Sequence, residues 1–130
     1  MPGRFLPPDP SRGDENTIGG YMAVHARPAA FEGSDGLSYS VAIETDRTGE
    51  PERPWGAFFL FVRWRRMGTQ GVEGHLETPF LAHGATAREA AEALGAMALG
   101  EVKSLLDGLI RQAAARPQRR WWDVMRDEDA

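Results

Sequence analysis

Apolar positions along the chain follow a period of two from residue 20 as far as residue 83 and a period near 3.6 after it. That switch predicts strands first and a helix last. The strongest segment is Trp55 to Arg66 (WGAFFLFVRWRR). Its aromatic and β-branched side chains suit a pleated, packed surface, so it is read as the central strand. Alternation puts Phe58, Leu60, Val62 and Trp64 on one face. The other face carries Ala57, Phe59 and Phe61, then Arg63 and Arg65. A strand apolar on both faces needs cover on both sides.

Two strands are predicted ahead of it. Gly20 to Arg27 sets Met22, Val24 and Ala26 against Tyr21, His25 and Arg27, and Pro28 ends the run. After a turn cluster at Glu32–Gly36, Leu37 to Thr45 gives the clearest alternation, with Tyr39, Val41 and Ile43 on one side. Residues 46–54 form a polar, Pro-bearing connection that is expected to be mobile. Beyond the central strand, residues 67–71 (MGTQG) read as a hairpin loop. Pairing Arg66 with Val72 sets Arg65 opposite Glu73, Trp64 opposite Gly74, Arg63 opposite His75 and Val62 opposite Leu76. The same register sets Phe61 opposite Glu77 and Phe58 opposite Phe80. It sorts apolar and charged side chains onto separate faces. The fourth strand then closes at His83-Gly84.

Thr86 and Glu89 stand in the spacing of a capping box, and the helix they open is predicted to reach Ala115, just short of Pro117. Its apolar stripe begins with Ala87, Ala90, Ala91 and Leu94 and widens to include Leu106, Leu109 and Ile110. Gly95, Gly100 and Gly108 weaken it, and a bend or break is expected near Gly100.

The expected fold is α+β: a four-stranded antiparallel meander, β-β-β-β-α, with one long helix packed on one face and flexible N- and C-terminal arms. Residues 20–116 form the single domain, and residues 1–19 and 117–130 form the arms. The helix is expected on the side of Met22, Val24, Tyr39, Val41, Ile43, Phe58, Leu60, Val62, Trp64, Leu76 and Phe80. A helix of ~30 residues spans ~45 Å, but four strands are only ~20 Å wide. Leu106, Leu109 and Ile110 would then overhang, and Phe59 and Phe61 would be left on the far face. Two uncovered apolar surfaces predict a homodimer. Trp121 and Trp122, beside Val124 and Met125, are expected to dock on the domain itself or to anchor a partner protein.

Composition narrows the classes. The 130 residues carry a net charge of −4, so no overall field draws the chain to nucleic acid or to an anionic membrane. There is no cysteine, which removes disulfide and thiolate chemistry. No apolar run approaches the ~20 residues of a membrane span, and the first residues lack the apolar core of a signal peptide. The expected compartment is the cytoplasm. All but one of the fifteen basic residues are Arg, the exception being Lys103. Coding bias would account for that, although Arg also suits paired or stacked sites.

Candidate chemistry is sparse. Glu73, His75 and Glu77 share one strand face, and with His25 they could form an N/O metal site. The competing reading pairs those carboxylates with Arg63 and Arg65, and it leads to no metal and no cofactor. Acid–base chemistry from His25 or His75 with Glu44 or Glu77 has only adjacency in its favour. No nucleophile elbow, P-loop or dinucleotide fingerprint occurs. The face holding Tyr21, His25, Arg27, Ser40, Phe59, Phe61, Arg63 and Arg65 mixes aromatics with Arg, as sheets that stack single-stranded bases do. Glu44, Glu73 and Glu77 on the same face favour a dimer interface instead.

The helix opening Gly84-Ala85-Thr86-Ala87-Arg88-Glu89-Ala90 resembles the G-x-T-x-x-E-A pattern of HicB-type antitoxin domains, over residues 37–112 at most. The chain departs from that family in its extra N-terminal strand and in lacking a recognisable C-terminal DNA-binding motif. The resemblance implies a small dimeric protein that neutralises a partner. The reading taken forward is a non-enzymatic, homo-oligomeric domain acting through protein–protein contacts. The alternative is a small-molecule or single-stranded nucleic-acid binder that uses the Arg/aromatic face.

Overall fold

A computed structural model describes residues 7–64 and 72–115. The chain is α+β with an antiparallel sheet, and helices cover one of the sheet's faces. The strands are β1 (Ala29–Glu32), β2 (Ser38–Arg47), β3 (Trp55–Trp64), β4 (Val72–Glu77) and β5 (Ala82–Gly84). The helices are α1 (Ile18–His25), α2 (Ala87–Gly95) and α3 (Leu99–Ala114). The first four strands lie in chain order, and β5 pairs with the opposite end of β3 from β4. The predicted meander is therefore present, while the predicted first strand and the single long helix are not.

Residues 20–27, expected as a strand, lie in and just after α1. Thr17 caps it, its hydroxyl accepting from the Gly20 amide at 3.1 Å. The alternation of Met22, Val24 and Ala26 mimics a strand, but Ile18, Tyr21 and Met22 stand at helical spacing and reach the core. The stretch before α1 is tied into the domain as well. Asp9 donates its amide to the Val24 carbonyl at 2.9 Å, and Pro10–Arg12 form a single 3-10 turn. The arm predicted for residues 1–19 thus has defined structure from residue 9 onward.

The long helix divides at Ala96–Ala98, ahead of Gly100. The break is made by its neighbour. The Ile18 amide donates to the Met97 carbonyl and the Leu99 amide donates to the Asn16 carbonyl, both at 2.9 Å. Backbone groups that an unbroken helix would satisfy internally are satisfied instead by the α1 segment. Close approach of α1 and α2 requires glycine on both sides. A Cβ on Gly19 would stand 3.0 Å from the Gly95 Cα.

Register decides which face is covered. Tyr39, Val41 and Ile43 of β2 pair with Arg63, Phe61 and Phe59 of β3, so all six share one face. That face lies under the helices: Phe59 and Phe61 are both 0% exposed and pack in one cluster with Ala90, Leu94, Val102 and Leu106. The predicted facing of β3 is the reverse of the observed one. Phe58, Leu60, Val62 and Trp64 lie on the side away from the helices. The β3–β4 register is also one residue from the predicted one: Phe61 pairs with Leu76, Val62 with His75 and Arg63 with Gly74, and a bulge follows before Trp64 pairs with Val72. The two corrections have one cause. Phe59 and Phe61 fill the core beneath the helices, and Leu76 must join them there.

The fourth strand is interrupted. Thr78 supplies its hydroxyl in place of a ladder bond, accepting from the Phe59 amide at 3.0 Å, and Pro79 follows it. The loop at 48–54, expected to be mobile, is cross-tied: the Thr48 amide donates to the Pro54 carbonyl at 2.9 Å, and its hydroxyl donates to the Arg53 carbonyl at 2.6 Å.

The capping box forms as predicted. Thr86 accepts from the Glu89 amide at 3.0 Å, and Glu89 reaches back to the Ala85 amide at 2.9 Å. Gly84 belongs to the same unit, because a Cβ there would stand 2.7 Å from the Ala90 amide nitrogen. Gly84→Val should therefore destabilise the fold by ~1–3 kcal/mol. Gly108→Ala, in a helix interior where the nearest atom to a Cβ is the flexible Arg111 guanidinium at 3.7 Å, should be neutral or stabilise by up to ~1 kcal/mol. Thermal and denaturant unfolding of the two variants would check both signs.

Candidate functional site

The helix-free face of the sheet is the surface that calls for a function. Along β3 it carries Phe58, Leu60 and Val62, half-buried by their neighbours, and Trp64, 42% exposed. None of these four belongs to the core cluster. Trp64 lies back over β2 and donates its indole N–H to the Ser40 hydroxyl at 2.9 Å. At the other end, Phe80 turns onto this face after Pro79 and lies over Gly56, where a Cβ would come within 2.4 Å of its ring. An aromatic ring does cover a strand glycine here, but the pair is Phe80 and Gly56, not the expected Trp64 and Gly74. Phe80 meets Phe58 edge-on with ring centroids 5.9 Å apart, so the predicted contact between those two rings exists. It is also 6.0 Å from the His83 ring. Phe80 and Leu81 are each 37% exposed, and with Trp64 they are the exposed large apolar side chains among the described residues.

The flanks of this ridge are polar and acidic. Cross-strand pairing places Ser40 beside Val62, Ala42 beside Leu60 and Glu44 beside Phe58 on the β2 side. His75 lies beside Val62 and Glu77 beside Leu60 on the β4 side. With Glu32 and Asp46 at the margins, the face has four described carboxylates and no described Lys or Arg. An apolar stripe between acidic rows is suited to contact with a polypeptide.

The candidate residues separate into three groups. Phe59 and Phe61 are in the core, as are Leu106 and Ile110, with Leu109 half-buried against them. The helix half expected to overhang is therefore packed on the sheet. The division of the helix shortens it to 16 residues in α3 and makes this possible. His75 and Glu77 are exposed on the open face, but the register sets them beside Val62 and Leu60, away from Arg63. Arg65, Trp121 and Trp122 lie outside the described residues, as does the Glu73 side chain. His25 is on α1, with its Nε2 3.4 Å from a Glu15 carboxylate, and does not share a sheet face with His75. Among the described residues no three His, Asp or Glu side chains are grouped as metal ligands. Phe80 and Leu81 were missed by sequence reasoning. Pro79 after Thr78 was the available signal, since a proline there breaks the strand that would have kept Phe80 in register.

Arg63 has a structural setting. Its guanidinium passes over Gly74, where a Cβ would lie 3.0 Å from Nη2, and its Nε has no hydrogen-bond partner among the described residues. It stands beside the Tyr39 hydroxyl, which donates to Asp35 at 2.8 Å. A groove of about 720 Å³ between α1 and α2 is lined by small residues (Gly and Ala) and by a few polar side chains. Its two arginines are already matched, Arg12 with Asp9 at 3.4 Å and Arg88 with Glu92 at 2.8 Å. Neither place assembles a nucleophile with a base.

Comparison of the chain with family models, with curated proteins and with solved structures found no match.

Tyr39, in the core beneath the helices, gives the fold a pH signature. Burial is the main cause that raises its pKa, the bond to Asp35 adds to it, and Arg63 opposes it. The folded state thus favours the neutral phenol. That contribution to stability is complete below the ordinary phenol pKa of ~10 and is lost as pH rises through the higher folded-state value. Tyr39→Phe should be less stable than wild type at neutral pH and should show a shallower loss above pH ~10. Unfolding free energies measured from pH 7 to 11 would check this.

Proposed function

We propose that the protein is a homodimeric, protein-contacting domain whose working surface is the open face of the sheet. The observation that supports this best is the unbroken apolar ridge Phe58–Leu60–Val62–Trp64, continued by Phe80, on a face that none of the described helices covers. Large apolar side chains contribute ~1.5–3 kcal/mol each when fully buried. A ridge of five half-exposed ones therefore favours association strongly. The reading needs no catalytic group, and a cytoplasmic location goes with it. No helix among the described residues is long and apolar enough to cross a membrane.

An antitoxin-like role, in which this surface neutralises a partner protein, is the form of the reading that the HicB resemblance implies. That resemblance rests on Gly84 to Ala90, and each of its fixed positions has a packing or capping reason in this fold. A ligand stacked on Phe59, Phe61 and Arg63 would have to displace α2 and α3, so the nucleic-acid or small-molecule reading lacks its platform.

Sedimentation at tens of micromolar should show a particle of twice the 14.3 kDa chain mass. Leu60→Glu, on the ridge, should reduce it to one chain with the far-UV spectrum unchanged. Leu106→Glu, in the core, should instead unfold the protein. A wild-type chain that sediments as a single copy would end the reading.

A further inference from the structure

The face itself limits what can occupy it. Among the described residues Glu32, Glu44, Asp46 and Glu77 take part in no ion pair, and no Lys or Arg shares the face with them. Two such faces pressed together would set carboxylate rows against each other, which opposes association. Area points the same way. Strands of 4, 10, 10 and 6 residues at ~3.3 Å per residue and ~4.8 Å spacing offer roughly 500 Å², short of the ~800 Å² that each partner buries in a stable interface. The occupant must bring positive charge, large apolar anchors and additional area.

One part of the chain has that chemistry. After α3 come Arg116, Arg119 and Arg120, with no acid before Asp123, and then Trp121-Trp122. We propose that residues 119–126 of a second copy lie on the open face, exchanged reciprocally about a two-fold axis. Trp121 and Trp122 sit on the Leu60–Phe58–Phe80 part of the ridge, and Arg119 and Arg120 meet Glu44 and Glu77. This rests on the open face being the contact surface, and it specifies what fills that face.

Geometry allows it. α3 ends at the β1–β2 turn, where Asp107 accepts from the Ser34 amide at 3.0 Å and Ile110 touches Gly33. Trp64 is at the same end of the sheet, since Tyr39 pairs with Arg63. The six residues from Ala115 to Trp121 reach ~20 Å when extended. Residues 116–120 contain no Gly, Asn or Asp, and a residue before proline favours extended backbone. A segment leaving α3 extended would reach a neighbouring copy more readily than it would fold back over its own sheet. Trp and Arg are also the residue types that most often anchor protein interfaces.

The test uses full-length chains and sedimentation equilibrium, with far-UV spectra to show that each variant stays folded. Trp121→Ser/Trp122→Ser and Arg119→Glu/Arg120→Glu should each weaken the dimer by roughly 100-fold or more. Glu44→Arg/Glu77→Arg should do the same, and its combination with Arg119→Glu/Arg120→Glu should restore the dimer. Mixing the Leu60→Glu chain, which keeps its tail, with the Trp121→Ser/Trp122→Ser chain, which keeps its face, should give a heterodimer that neither forms alone. If the Trp variant dimerises as wild type while Leu60→Glu does not, the face meets something other than this segment. The proposal is then overturned and the functional reading survives. Failure of the two chains to complement on mixing overturns the exchange. A monomeric wild type overturns both.

Discussion

Everything in this fold follows from burying one face of β3. Phe59 and Phe61 are the two rings on one apolar face of the central strand, and placing them under α2 and α3 draws Tyr39, Val41 and Leu76 to the same side through cross-strand pairing. Because side chains alternate strictly, that choice commits Phe58, Leu60, Val62 and Trp64 to the other side. The described helices cover only one of the two faces. An apolar ridge left open is thus a consequence of how the core was filled.

The helix layer is shaped by the same demand. Lying across one sheet face, a single helix would carry its second half past the edge. Division at Ala96–Ala98 lets α2 and α3 each find a place, and the cost in backbone bonding is offset by the pairing of Asn16 and Ile18 with Leu99 and Met97. Gly19 and Gly95 permit the close approach that this pairing needs, and Gly84 permits the strand-to-helix turn beside it. Small residues at these three contacts allow three helices to pack over a modest sheet.

Among the described residues the open face combines apolar area with carboxylates that no Lys or Arg matches, and the two impose different requirements. Area alone would be satisfied by a second copy of the same face. The carboxylates beside Leu60 and Phe58 would not, because a two-fold axis sets like against like. That conflict is what directs attention to the arginine and tryptophan residues following α3.

Local signals were legible in the sequence wherever the cause is local. The β2 alternation, the capping box at Thr86 and Glu89, the turn at Glu32–Gly36 and the strand character of Trp55–Trp64 all depend on neighbours a few residues away. The resulting class, an antiparallel meander joined to helical structure, followed from them. The facing of β3 was not legible, since Phe58–Leu60–Val62 and Phe59–Phe61 are both apolar, and only the volume beneath the helices decides between them. α1 was hidden because eight residues of Gly, Ala and mixed apolar types fit either period, and its helical state depends on contacts with Met97 and Leu99 far along the chain. The break before α3 was signalled near Gly100 by the helix glycines, but its place at Ala96–Ala98 depends on those same distant contacts. The sequence determined that β2, β3 and β4 are strands and that both faces of β3 are apolar. The tertiary structure decided which of two equivalent faces is buried, because that depends on how side-chain volumes from distant segments fit together.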